Sequence, residues 1–150
     1  MLFNRRPKNP NEMTSDAKKY LKKFEKFLKK NKADFRFSDE GALEFETENT
    51  DGASYWVTVN AEEDMVWLIA ELNYKCPLDE AAMLKSINAI TGSKSPVLVH
   101  LEFDRAKLFF SMCFSVDNVD RDVESMMETW WRYYEQTSIA VADRTGLTYI

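Results

Sequence analysis

Apolar residues first fall into a regular pattern after Met13, where Ala17, Tyr20, Leu21, Phe24, Phe27 and Leu28 recur at spacings of three and four. That spacing puts them on one side of a helix. Thr14 or Ser15 can cap its start, and Asp16 in the first turn suits the positive end of the helix dipole. The period then drops from 3.6 to 2. Phe35 and Phe37 alternate with Asp34, Arg36 and Ser38, and after Asp39-Glu40-Gly41 the residues Leu43, Phe45 and Thr47 alternate with Glu44, Glu46 and Glu48. These are two half-buried antiparallel strands. A turn at Asn49-Thr50-Asp51-Gly52 leads to a third strand, Tyr55 to Val59. Beyond the acidic break Glu62-Glu63-Asp64, the run Met65 to Leu72 is apolar on both alternating faces except at Glu71, which predicts a central strand.

Pro77, with Asp79 and Glu80, opens a second helix that stops at Gly92, a residue suited to the left-handed position after a helix. Ser95 to Phe103 and Ala106 to Ser115 form a hairpin across Asp104-Arg105, and a last helix starts near Asp117 or Asn118. It carries Val119, Val123, Met126, Met127, Trp130 and Tyr134 on one face and runs to about Thr137, leaving Ile139 to Ile150 as a weakly patterned tail. Residues 1–12, with two prolines and three asparagines, read as a flexible N-terminal arm, and residues 13–150 as a single domain. The element order α-β-β-β-β-α-β-β-α, with strands in runs joined by tight turns, predicts an α+β fold built on an antiparallel meander.

Composition agrees with a self-sufficient core. In 150 residues, hydrophobic side chains make up 45% and aromatics 13%, far from the profile of a disordered chain. The positive opening stretch is followed by no apolar h-region, and no run is long enough to span a bilayer, so a cytoplasmic protein without membrane insertion is expected. Cys76 and Cys113, far apart and outside any Cys-x-x-Cys, read as reduced thiols. The net charge of −5 hides a strong asymmetry: residues 1–32 hold 11 Lys and Arg against 3 Asp and Glu, while residues 33–150 hold 9 against 22.

Catalytic chemistry has little material to work with. His100 is the one histidine, and on a strand alternating with Leu98 and Glu102 it reads as structural or solvent-facing. One His and two separated Cys give no tetrahedral metal set and no Cys-His nucleophile pair. Gly92-Ser93-Lys94-Ser95 is close to the end of a phosphate-binding loop but lacks both the earlier glycine and the Gly-Lys adjacency. The row Glu44, Glu46, Glu48 reads as a solvated acidic face. A protein that is not an enzyme and uses no cofactor or metal is expected.

From Phe35 onward the pattern resembles the bacterial YbjN-like proteins, whose fold is similar to that of the type III secretion chaperones. The matching features are the turn at Asp39-Glu40-Gly41, the Tyr55-to-Val59 strand, the acidic break before the long apolar strand Val66 to Leu72, and a helix containing Ile87-Asn88. The Val99-to-Phe103/Lys107-to-Ser111 hairpin and a long terminal helix complete the match. The resemblance implies a homodimer that binds segments of other proteins, or a regulatory role. The lysine-loaded first helix departs from it.

Two surfaces stand out as partner-binding candidates. At 100° steps, Lys18, Lys19, Lys22, Lys23, Lys26, Lys29 and Lys30 occupy the arc opposite the apolar stripe of the first helix, interrupted only by Glu25. Lys19, Lys22, Lys26 and Lys30 are the residues expected to meet an acidic partner, unless the face is simply solvated. Nucleic acid is disfavoured by the acidic remainder of the chain. An anionic membrane is disfavoured because Tyr20, Phe24 and Leu28 are needed to cover the sheet. The second surface is the last helix, whose apolar arc of about 160°, with Trp131 and Tyr133 at its edges, exceeds the roughly 100° a surface helix requires. Ala82, Ser86 and Ala89 add a small-residue side to the second helix. A homodimer is expected from the last two features.

Overall fold

A computed structural model describes residues 15–62, 65–92, 95–115 and 123–150. The elements are α1 (Ser15–Lys30), β1 (Phe35–Phe37), β2 (Leu43–Glu48), β3 (Ser54–Glu62), β4 (Met65–Lys75), α2 (Glu80–Thr91), β5 (Leu98–Glu102), β6 (Lys107–Ser115), α3 (Val123–Thr145) and β7 (Thr148–Tyr149). The expected α+β order is present, with one strand added at the end. The sheet runs β1-β2-β3-β4-β6-β5, every pair antiparallel, and β7 pairs with the end of β4.

One core fills the space between the three helices and one side of this sheet. The stripe of α1 is buried as its spacing predicts, with Ala17, Tyr20 and Phe24 at 0% exposure, while all seven lysines of α1 are exposed. Tyr20 donates its hydroxyl to Met126 Sδ at 2.7 Å, which ties α1 to α3. Behind it stands an aromatic column: Trp130 stacks on Tyr134 at 5.1 Å, Tyr134 on Tyr55 at 4.4 Å, and Phe110 meets Tyr134 edge-on at 5.5 Å. Trp130 Nε1 donates to Tyr55 Oη at 3.1 Å, so the buried indole keeps its hydrogen bond. The α2 helix adds Met83, Ile87 and Ile90 to the same core, and Asp79 caps its start by accepting from Ala82 N at 2.8 Å.

Four expectations need correction. The last helix does not stop near Thr137: it continues to Thr145, and the segment read as a tail closes the fold. Thr137, Ser138 and Thr145 are buried there, and Ser138 and Thr145 donate to the Glu135 and Val141 carbonyls of their own helix at 3.0 and 2.6 Å. Gly146, at φ 71°, ends the helix, Leu147 enters the core, and β7 follows, with Tyr149 Oη donating to the Ser138 carbonyl at 2.7 Å. Gly92 is right-handed, at φ −68°, and what it supplies is room, since a Cβ there would lie 3.1 Å from the Asn88 carbonyl oxygen. Strand β5 starts at Leu98 rather than Ser95, because Pro96 has no N–H to give a ladder. The hairpin turn is a 3-10 turn over Phe103–Arg105, released by Ala106 in the left-handed region at φ 51°. The arm at residues 1–12, the cap at Thr14, and the start of the last helix at Asp117 or Asn118 with Val119 lie outside the described residues.

Burial pushes the hydroxyls of Tyr20, Tyr55, Tyr134 and Tyr149 well above the ordinary tyrosine range, and Tyr74 moves the same way. A folded-state value raised above the unfolded one favours the neutral ring in the native state. The stability it contributes is complete below about pH 10, the unfolded value, and is lost as pH rises beyond it. Alkaline titration followed by circular dichroism and phenolate absorbance should therefore show tyrosine ionisation and unfolding as one cooperative step above about pH 10. Ionisation of these rings in a chain that stays folded would contradict this packing.

Candidate functional site

Side chains alternate across a strand, so the register assigns each residue to a face. Phe45, Val57, Ala70, Phe110 and Val99 share one row and point to the helices. The adjacent row, Glu44, Thr58, Ile69, Ser111 and Leu98, points the other way. No described helix covers that second face, since α1, α2 and α3 all pack into the single core.

The open face is nonetheless apolar through its middle. Trp67 and Cys113 are paired, as are His100 and Phe109, while Trp56 stands across from Glu46. Trp56 is 38% exposed and Leu98 is 48% exposed; Met65, Trp67, Phe109, His100 and Cys113 are half-buried. Ile69, on this face, is buried yet stands outside the main core. Ser111 beside it is 1% exposed, and its hydroxyl has no hydrogen-bond partner among the described residues. A buried hydroxyl without a partner is costly, and natural folds keep few of them.

Charges border the patch. Arg36 lies over the Trp56 ring with its guanidinium carbon 4.5 Å from the centroid and holds Glu44 Oε2 at 2.9 Å. Lys107 pairs with Glu71, and Arg105 pairs with Glu102 at 2.7 Å. Glu46, Glu48 and Glu62 belong to the same face and have no ion-pair partner among the described residues.

The residues singled out from the sequence lie elsewhere. Lys19, Lys22, Lys26 and Lys30 are exposed on the outer side of α1, turned away from the sheet, and the ion pair found on that helix is Lys29 with Glu25 at 3.2 Å. Trp131 is 36% exposed and donates from Nε1 to Thr47 Oγ1 at 3.0 Å. Tyr133, on the other edge of α3, lines a shallow cleft of about 270 Å³ with Ile90, Pro96, Gln136 and Ala140. The two aromatic edges thus face different neighbours and form no common site. On α2, Leu84 is 40% exposed and Ala89 is exposed, on opposite flanks of the buried Met83, Ile87 and Ile90, while Ala82 and Ser86 are half-buried. The open-face residues Trp56, Trp67, Ile69, Phe109 and Leu98 went unremarked as a group. Their signal was the two-sided apolar pattern of β4, which three helices on one face cannot cover.

Among the described residues no three His, Cys, Asp or Glu side chains are grouped to hold a metal ion, and no helix is long and apolar enough to cross a membrane. Neither cysteine is bridged.

No family model and no curated protein matches the chain. Among solved structures, it is similar to YbjN from E. coli, described as a proposed transcription regulator, at a TM-score of 0.55 and 16% identity, over 82% of this chain and 89% of that one. An identity that low speaks for architecture alone, and the chain has a YbjN-like α+β fold.

Proposed function

We propose that the chain is a non-enzymatic binding protein, chaperone-like or regulatory, that takes a polypeptide partner on its open sheet face and works as a homodimer. The observation that carries this reading is a sheet face that no described helix covers, with Trp56 and Leu98 exposed and Trp67 half-buried on it, over the buried Ser111, whose hydroxyl has no hydrogen-bond partner among the described residues. Aromatic side chains bury a large area at little entropic cost and anchor interfaces for that reason. An apolar sheet face left to water is also a liability that a partner removes. Recovery of polypeptides by the wild-type chain, against a Trp67→Thr/Phe109→Thr variant, tests the reading. Equal recovery by the two would contradict it.

The homodimer is supported by exposed Leu84 and Ala89 on α2 and by the half-exposed Trp131. Sedimentation at micromolar concentration is expected to give a dimer. A monomer at every concentration would remove these surfaces as self-interfaces.

A second reading, recruitment of an acidic partner by α1, is supported by seven exposed lysines with a single ion pair among the described residues. Lys18/Lys22, Lys19/Lys23, Lys22/Lys26 and Lys26/Lys30 are like charges four apart, each pair costing about 0.2–0.5 kcal/mol. Replacing Lys19, Lys22, Lys26 and Lys30 with Gln should leave the thermal midpoint unchanged or slightly raised, and should weaken any acidic partner in a salt-sensitive way. A large fall in the midpoint would mean that these lysines serve the fold instead.

A further inference from the structure

We infer that the outer face of α1 adsorbs to an anionic lipid bilayer, held there by its lysines and without inserting. The inference rests on the reading of α1 as a recruiting face and names what that face meets.

The charge is concentrated and directed. From Lys18 to Lys30 the helix rises ~18 Å, and at 100° per residue the seven lysines fall within about 140° of arc. All seven are exposed, and Glu25, at the border of that arc, holds only Lys29, at 3.2 Å. Lys18, Lys19, Lys22, Lys23, Lys26 and Lys30 have no ion-pair partner among the described residues. The other helices carry no such bias: α2 has Glu80 and Lys85, and α3 has Glu124, Glu128, Glu135 and Asp143 with Arg132 and Arg144. The carboxylates of the strands lie on the far side of the sheet. Glu44, Glu46, Glu48, Glu62, Glu71 and Glu102, with the cations Arg36, Lys75 and Lys107, belong to the face turned away from the helices. A helix with its side chains is about 10–12 Å across, so more than one Debye length, ~8 Å at physiological ionic strength, separates them from the outer lysines. The net charge of −5 therefore does not govern what this face meets.

Side-chain chemistry selects the bilayer. Every cation of α1 is a lysine. Arginine, whose planar fork grips a carboxylate through two hydrogen bonds, is enriched at protein interfaces, and lysine is depleted there. A lysine keeps its hydration on a flexible stem, which suits a plane of mobile headgroups, and clusters of about four to eight basic residues on an amphipathic helix bind anionic lipid in this way. A nucleic-acid site adds arginine for base edges or aromatic rings for stacking, and the outer arc of α1 holds neither. Insertion is closed to this helix, since Tyr20, Phe24 and Leu28 are buried in the protein's own core. Adsorption does not draw on them: the stripe serves the fold while the lysines serve the bilayer.

The test is sedimentation of the full chain with vesicles of phosphatidylcholine, alone or with about one third phosphatidylglycerol. Binding to the anionic vesicles and none to the neutral ones is expected. It should disappear between about 0.1 and 1 M NaCl, as the Debye length falls from ~10 to ~3 Å. Lys19→Gln/Lys22→Gln/Lys26→Gln/Lys30→Gln should weaken it at least about a hundredfold, each lysine near the surface contributing several-fold. Arginine at the same four positions should bind at least as well as wild type, and Lys75→Gln, on the far face of the sheet, should leave binding unchanged. Vesicles should also leave the circular dichroism of the chain unchanged, because α1 stays on its core. Equal binding to both vesicles, binding that survives the four glutamines or high salt, or a helix signal that changes on the anionic vesicles overturns the inference. Poly-glutamate and duplex DNA are the comparison probes. A chain that holds poly-glutamate but not the anionic vesicles keeps its recruiting face and loses the bilayer; one that holds duplex DNA but not the vesicles assigns the face to nucleic acid. Binding to none of the three removes the recruiting reading as well.

Discussion

Trp130→Ala is expected to cost about 3–5 kcal/mol of unfolding free energy, the range for removing a large aromatic from a packed core. Trp130 is 0% exposed, stacks on Tyr134 at 5.1 Å with an interplanar angle of 13°, and donates to Tyr55 Oη at 3.1 Å. Truncation leaves a cavity between α3 and the sheet and takes a partner from the buried Tyr55 hydroxyl, and both effects act in the same direction. Since domains of this kind are stable by about 5–15 kcal/mol, the variant should lie close to the unfolding threshold. Urea unfolding read by circular dichroism measures it. A loss under about 1 kcal/mol would mean that the aromatic column does not hold α3 to the sheet.

The second large effect is on binding. Trp67→Thr/Phe109→Thr keeps β-branched residues on β4 and β6, so the ladder survives and the stability lost should stay near 1–2 kcal/mol, the scale of cross-strand pairs and strand propensity. Each side chain is half-buried on a face that no described helix covers, and its removal takes away an anchor of the kind that costs about 2 kcal/mol or more at an interface. Polypeptide affinity is expected to fall by roughly a hundredfold or more while the chain remains folded. The Trp130→Ala and Trp67→Thr/Phe109→Thr variants thus separate the two faces of one sheet: the first spends its effect on folding, the second on binding.

Much of the architecture was legible because the physics behind it is local. The spacing of Tyr20, Phe24 and Leu28 and the alternation of Leu43, Phe45 and Thr47 state directly which side chains leave water, and α1 and β2 lie where those patterns put them. The end of the chain was not legible for an equally local reason. Thr137, Ser138 and Thr145 look polar in the sequence and interrupt the apolar period, but Ser138 and Thr145 satisfy their hydroxyls on the carbonyls of α3 and are buried at little cost. The Gly92 expectation missed because conformational permissiveness and small size both favour glycine after a helix, and it is size that acts here.

The open face was half legible. Met65, Trp67 and Ile69 alternate with Val66, Leu68 and Ala70, so β4 announced two apolar faces, and only the pairing with β3 and β6 showed that Trp67 and Ile69 join Phe109 and Leu98 while the helices go to the other side. Long-range register is not written in any one segment. The lysine face, by contrast, was placed correctly by helical geometry. What it meets is a property of the partner and not of the fold.

The most direct test of the central claim, that the open sheet face is the surface that meets a polypeptide, is site-specific photo-crosslinking in cells. A benzophenone amino acid placed at Leu98 on the open face is compared with one at Ile139 on α3, two exposed positions at 48% and 53%. The account predicts discrete polypeptide adducts from position 98, lost on adding Trp67→Thr/Phe109→Thr, and none of comparable yield from position 139. Adducts that form at 139 but not at 98, or that persist from 98 after the aromatic anchors are gone, would contradict it.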